Sequence, residues 1–94
     1  MEAFCIEDTK SEDHGVPFFC ENQAVAMRLL RKPCNDPEHT WCKYSTDFHL
    51  FKVGDWDSTL AEIVGHPKKH ITSLEALVEK PSDGQQFMSI AGGE

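Results

Sequence analysis

The sequence contains no long apolar run and no segment that resembles an export signal. No stretch approaches the roughly 18 consecutive apolar residues that a membrane-spanning helix needs. Met1 is followed by Glu2, and neither a basic flank nor an apolar segment of sufficient length comes after them. We therefore expect a cytoplasmic protein that makes no use of a membrane.

The sequence also lacks the short motifs of common catalytic and cofactor sites. Its six glycines are dispersed, and neither G-x-x-x-x-G-K nor G-x-G-x-x-G occurs, so the usual phosphate-binding loops are excluded. Carboxylates are plentiful, but nothing in the sequence fixes two of them at a working distance. We therefore predict a protein that is not an enzyme, has no cofactor and acts by binding.

The cysteines are few and carry no recognisable site. In a reducing cytoplasm we expect free, mostly buried thiols at four positions: Cys5, Cys20, Cys34 and Cys42. The residues that come nearest to a zinc site are Cys34, His39 and Cys42, with Cys20 or His49 as a fourth ligand. Their spacing matches none of the usual ligand pairs and no C-x-x-C occurs, so we predict no metal. Cys20, which precedes a predicted helix, is the alternative candidate for a nucleophile.

Length and composition indicate one small folded domain. The chain has 94 residues, of which 39% are hydrophobic and 10% aromatic, enough to fill one core. We assign residues 1–80 to a single domain. Residues 81–94 are rich in Ser, Asp, Gly and Gln, so we expect a flexible C-terminal tail.

The patterning predicts an α+β fold with a small antiparallel sheet. Residues 3–7 read as an N-terminal strand, and residues 48–54 and 60–64 as a hairpin whose turn is residues 55–59. In the first hairpin strand Phe48, Leu50 and Lys52 should point one way, and His49, Phe51 and Val53 the other. Neither face is purely polar, which indicates a central strand.

One main helix and one short C-terminal helix should pack on this sheet. Asn22 is a favourable N-cap, helix formers fill residues 23–32, and Pro33 should end the helix. Apolar residues spaced four apart predict a core-facing stripe: Val25, Ala26, Leu29 and Leu30. Residues 33–47 read as a loop with one helical turn, held to the body by Trp41 and Tyr44. Thr72 or Ser73 should cap the short helix that follows.

The charge pattern leaves two kinds of partner open. Sixteen acidic residues against nine basic ones give a net charge of −7, which opposes non-specific attraction to nucleic acid. Two local groups of cations could still bind DNA: Arg28, Arg31 and Lys32 on the helix, and Lys68 and Lys69 further on. The helix group has an ordinary explanation too, because cations stabilise a helix C-terminus. The acidic segment Asp55, Trp56 and Asp57 is the candidate for binding a protein.

The order of these pieces resembles a known family of small phage proteins. The matching features are Lys10, Pro17-Phe18-Phe19, Ala26 and Arg28 in the helix, Asn35-Asp36-Pro37, Tyr44, Asp47-Phe48, Leu50 and Gly54. Over roughly residues 4–78 the chain is similar to the nonstructural accessory protein of gokushoviruses and related microviruses. The chain departs from that pattern at Thr59-Leu60, where the family often has Thr-Gly, and at Trp56, where it usually has another aromatic residue.

The resemblance implies a role in the life cycle of a single-stranded-DNA phage. It implies a nonenzymatic factor in the bacterial host cytoplasm that acts in viral DNA synthesis or packaging. Its partner would be a replication protein, a procapsid protein or single-stranded DNA. The alternative is an acidic inhibitor of a host defence factor or polymerase, which would imitate phosphate. A homodimer is also among the expected states, since self-association enlarges a small core.

Overall fold

The computed structural model describes residues 1–79 and has the α+β fold that the sequence predicts. Its strands are β1 (Glu2–Asp8), β2 (Asp13–His14), β3 (Phe18–Cys20), β4 (Phe48–Asp57) and β5 (Glu62–Ser73). Its helices are α1 (Gln23–Cys34) and the single turn α2 (Thr40–Lys43), with 3-10 turns at Ser45–Asp47 and Leu74–Leu77. The predicted flexible tail, residues 81–94, lies outside the described residues.

All strand pairs are antiparallel, and β4 lies inside the sheet. The sheet order is β2-β1-β4-β5, and β3 pairs with the first residues of β1 on the same side as β2. The prediction that β4 is central is therefore confirmed. The short strands β2 and β3 were missed because two or three residues give no visible alternation. Residues 9–12 turn tightly from β1 into β2, with Glu12 at a φ of 61°.

The core lies between one face of the sheet and α1. The sheet contributes Phe4, Ile6 and Leu50, all buried. Its partners come from the rest of the chain: Cys20, Ala26, Leu30, Cys34, Leu74 and Leu77. These side chains leave water together, and that burial is the main term that stabilises a domain of this size.

Both helical caps that the sequence predicted are present. The Asn22 side chain accepts a hydrogen bond from the Val25 backbone N–H at 3.0 Å, and Ser73 accepts one from Glu75 N–H at 3.0 Å. Pro33 does not end α1, which continues to Cys34. Asn35 ends it, because its backbone N–H donates to the Arg31 carbonyl while its side chain donates to the Leu77 carbonyl at 3.0 Å.

Two residues expected to pack against the body of the protein are exposed. Leu29 is 61% exposed and Tyr44 58%, so the predictions for them are wrong. The helix buries a narrower stripe than expected, centred on Ala26 and Leu30, with Val25 at its margin. Trp41 does pack against the core, as predicted.

The β4–β5 hairpin is longer than its sequence suggested, and its outer part extends as a ribbon past β1, which pairs with β4 as far as Asp55. Residues 55–57, predicted as part of a turn, continue β4, and β5 runs on through residues 65–70. Every residue from 58 to 70 is exposed, so neither face shows a buried pattern from which a strand could be recognised. Pro67 is accepted because β5 is an edge strand and is irregular there.

We call residues 54–65 the arm. In its ladder Asp55 pairs with Val64, Trp56 with Ile63 and Asp57 with Glu62. Three residues of β5 oppose the single Val53 where the arm joins the rest of the sheet. Gly54 allows the close approach of the two strands at the base of the arm, since a Cβ at this position would lie 2.5 Å from the Val64 carbonyl oxygen. The Asp57 side chain closes the tip by accepting the N–H groups of Thr59 and Leu60.

Adjacent leucines of α1 provide a direct test of the helix orientation. Leu30→Ala should lower the free energy of unfolding by about 2–5 kcal/mol, because it leaves a cavity in the core. Leu29→Ala, the matched control, should change it by no more than about 0.5 kcal/mol. Urea unfolding followed by circular dichroism measures both. Equal losses in the two variants would contradict the orientation of α1.

Candidate nucleic-acid interface

The cations predicted on the helix lie together on the exposed side of α1. Arg28 precedes Arg31 by three residues and Lys32 by four, so both are its neighbours on the helix surface. All three side chains are exposed, and no carboxylate among residues 1–79 forms an ion pair with them. Arg31 and Lys32 also sit in the last turn, where they stabilise the helix dipole. That role leaves their charged ends available to an anion.

An apolar groove adjoins these cations. It has a volume of about 490 Å³ and is lined by Met1, Phe19, Cys20, Glu21, Val25, Arg28 and Leu29. We call it the α1–β3 groove. Helical spacing brings Val25, Arg28 and Leu29 to one side of α1, and β3 places the half-exposed Phe19 ring across from them. Arg28 thus belongs to both the cationic group and the groove wall. An apolar surface edged by cations can accept a nucleobase together with its phosphate.

The structure separates Lys68 from the helix cations. Its Nζ atom lies 3.0 Å from Glu7 Oε1 and 4.7 Å above the centre of the Phe51 ring. Phe51 follows the core residue Leu50, so its side chain is on the sheet face opposite α1. Lys69, the next residue of β5, points to the other face from Lys68 and pairs across the ladder with Lys52. The two predicted cation groups therefore do not form one surface.

A histidine cluster that was not predicted from the sequence occupies the sheet face opposite α1. His49 Nδ1 and His70 Nε2 are 3.0 Å apart, and the His70 ring meets Phe51 edge-on at 5.3 Å between ring centres. His14 lies 3.1 Å from Lys68 Nζ through its Nε2 atom. Alternation placed His49 and Phe51 on one face, but only the strand register brings His14 and His70 to them.

The candidate metal and nucleophile residues are placed in ways that disfavour those roles. Cys34 is fully buried, and burial raises the pKa of its thiol to about 11, well above neutral pH. His39 is engaged through Nδ1, which accepts the Trp41 backbone N–H at 3.0 Å. Burial likewise raises the pKa of Cys20, which reduces its thiolate fraction. Among residues 1–79 no three His, Cys, Asp or Glu side chains are grouped to hold a metal ion. The four cysteines are free thiols.

The predicted protein-binding residues Asp55, Trp56 and Asp57 all lie on the arm. Residues paired across a ladder share a face, so one face of the arm carries Asp55, Asp57 and Glu62, along with Val64. Trp56 and Ile63 share the other face. Leu60 at the tip, Ile63 and Val64 are each more than half exposed. The arm is therefore acidic and apolar, opposite in charge to the exposed cations of α1.

The Lys68–Glu7 pair gives a test of the sheet face opposite α1. The hydrogen bond from Lys68 is the largest cause that lowers the pKa of Glu7, and the charges of Lys68, His14 and His49 lower it further. Lys68→Met should therefore raise the pKa of Glu7 toward its ordinary value, as measured by carbon-13 NMR titration. Lys69→Met, the matched control on the opposite face, should leave it unchanged.

The same pair fixes the sign of a pH effect on stability. The folded-state pKa of Glu7 is depressed, so its stabilising contribution is complete above the unfolded-state pKa. It is lost as the pH falls below 4.5 through the lower folded value. Acid unfolding of Lys68→Met should lack this component. An unchanged Glu7 pKa in Lys68→Met would contradict the pairing.

Comparison with known proteins identifies the family. None of the helices within residues 1–79 is both long and apolar enough to cross a membrane. No curated protein and no solved structure matches the chain significantly. The model of one protein family, described as Phage ORF5 protein, matches residues 1–77. The match includes every strand of the sheet, α1 and the closing 3-10 turn. The chain belongs to the Phage ORF5 protein family.

Proposed function

We propose that this phage protein is a nonenzymatic accessory factor that binds single-stranded DNA in the α1–β3 groove during viral DNA synthesis or packaging. The observation that carries the proposal is the groove itself, a largely apolar surface lined by Arg28 and Glu21, with Arg31 and Lys32 exposed beside Arg28 on α1. The phage family supports a viral setting. The resemblance to microvirus and gokushovirus accessory proteins supports the part of the proposal that concerns a single-stranded genome and the host cytoplasm.

A single strand suits this groove better than a duplex. In a duplex the base faces are stacked, so an apolar groove would have only sugar and phosphate to contact. In a single strand the bases are free to lie on apolar and aromatic side chains, and such stacking tolerates any sequence. Phe19 and Leu29 supply that surface, while Arg28 and its neighbours are placed for the adjoining phosphates.

The charge of the protein limits how strongly it can hold DNA. A net charge of −7 repels a phosphate backbone except near the groove, so at most three phosphates should be neutralised there. Three contacts on a single strand predict a fall in affinity of about 20-fold between about 50 and about 200 mM salt. We expect micromolar binding at low salt, which is suited to reversible contact with a strand that is being copied or packaged.

Titration of labelled single-stranded DNA against three double variants tests the proposal. Arg28→Ala/Lys32→Ala should lower the affinity at least tenfold, because both cations border the groove. Lys68→Ala/Lys69→Ala and Lys10→Ala/Lys43→Ala remove the same charge elsewhere and should change the affinity less than threefold. Fluorescence anisotropy at two salt concentrations measures the affinity and its salt dependence.

These variants also separate local binding from overall charge. Equal weakening in all three would mean that only net charge matters and would contradict a groove. Selective loss in Lys68→Ala/Lys69→Ala would move the site to the hairpin. An absence of binding at low salt would rule out direct contact with DNA.

The arm favours a second candidate function. Its carboxylates Asp55, Asp57 and Glu62 lie along one ribbon face and could imitate a phosphate backbone, with Trp56 on the opposite face for apolar contact. The protein would then act on a replication or procapsid protein, or inhibit a host defence factor or polymerase, through a basic site of that partner. Co-purification that depends on the arm and not on Arg28 would support this function over DNA binding.

A further inference from the structure

We propose that two copies of this chain associate by inserting the arm of each copy into the α1–β3 groove of the other. The inference goes beyond DNA binding and does not depend on it. It concerns the two exposed surfaces that are opposite in charge and both partly apolar. Each copy has one arm and one groove, so a second copy can provide a partner of opposite charge for both surfaces.

The arm and the cations beside the groove are complementary in charge. The acidic face of the arm carries Asp55, Asp57 and Glu62, a local charge of −3. Arg28 lines the groove, and Arg31 and Lys32 lie beside Arg28 on α1, so three positive charges adjoin the groove against one carboxylate of its lining, Glu21. No carboxylate of residues 1–79 forms an ion pair with these three cations. Among residues 1–79, Asp55 is the arm carboxylate that has an ion-pair partner, Lys52 at 3.3 Å, and His66 Nε2 lies 3.7 Å from its other carboxylate oxygen. Most of both charges is therefore available between copies.

Apolar surface and size agree with this pairing. Leu60 at the tip and Val64 on the acidic face of the arm are more than half exposed, as is Leu29 in the groove. Burying them against each other removes apolar area from water on both sides. The four ladder pairs of the arm span about 10 Å from first to last, and the twelve residues of α1 span about 18 Å. The ribbon is thus short enough to lie along the helix.

The position of Met1 favours reciprocal exchange between two copies. Met1 lines the groove, and its carbonyl oxygen accepts the Trp56 backbone N–H at 2.8 Å. The groove of each copy therefore adjoins the base of its own arm. Because the arm leaves that base as a paired ribbon closed by Asp57, it cannot fold back into its own groove. Two copies related by a twofold axis can each receive the other's arm, which closes the assembly as a dimer.

Two variants with reversed charge test the exchange. Ser58→Lys/Thr59→Lys/Glu62→Lys changes the arm from −3 to +1 and keeps the Asp57 turn contact and the Asp55 ion pair. Arg28→Glu/Lys32→Glu changes the groove edge from +3 to −1. Sedimentation equilibrium of the full chain and of each variant, alone and mixed, measures association. Circular dichroism first establishes that both variants fold.

The proposal predicts a pattern of association that non-specific aggregation cannot produce. The unaltered chain should form dimers that weaken as salt is raised, and each variant alone should associate at least tenfold more weakly. An equal mixture of the two should dimerise again, because each arm then meets a groove of opposite charge in both directions. A monomeric unaltered chain up to millimolar concentration would overturn the proposal. So would dimers that persist in each variant alone, or a mixture that stays monomeric.

Discussion

The pairing of β4 with strands on both sides is the interaction on which the rest of the structure depends. Its inner half pairs with β1 and the end of β5, and there Leu50 enters the core beneath α1. Its outer half pairs with the start of β5 and forms the arm, whose residues Gly54 and Asp55 also pair with β1. The irregularity opposite Val53 separates the two halves. One strand therefore belongs both to a buried core and to an exposed ribbon, and it fixes where the ribbon stands relative to the groove.

The features of the fold that depend only on residues close together in the sequence, such as the helix caps, were predicted. The caps at Asn22 and Ser73 follow from side chains that satisfy nearby backbone N–H groups, and both were identified correctly. The arm was misread because strands are recognised by one buried face, and the arm buries neither. Leu29 was misplaced for a related reason, since four-residue spacing shows a stripe but not how much of it the core will cover.

In the candidate sites, too, residues on one element could be grouped from the sequence, whereas residues from different elements could not. Arg28, Arg31 and Lys32 could be grouped from the sequence because a helix fixes their spacing. Met1 and Phe19, which complete the groove, come from other elements and reach it only through the pairing of β1 with β3 and β4. Lys68 and Lys69 were grouped as neighbours in sequence, yet a strand sends successive side chains to opposite faces. Residues that share a function across elements need the register, which no local pattern supplies.

The distribution of charge explains how a protein with a net charge of −7 can still present a cationic groove. Three acidic residues whose charge is opposite to that of the α1 cations, Asp55, Asp57 and Glu62, lie together on one face of the arm. In our account DNA and the arm of a second copy use the same groove, so strand binding and self-association would compete. A protein of this kind would release its partner copy when single-stranded DNA becomes abundant.

The most direct test of the central claim is a nitrogen-15 NMR titration of the chain with short single-stranded DNA. The account predicts that amide shifts change around Phe19 and along residues 25–32, and that those around His49, Phe51 and Lys68 stay in place. Changes confined to the face of Phe51 and Lys68, or no changes at low salt, would contradict a DNA site in the α1–β3 groove.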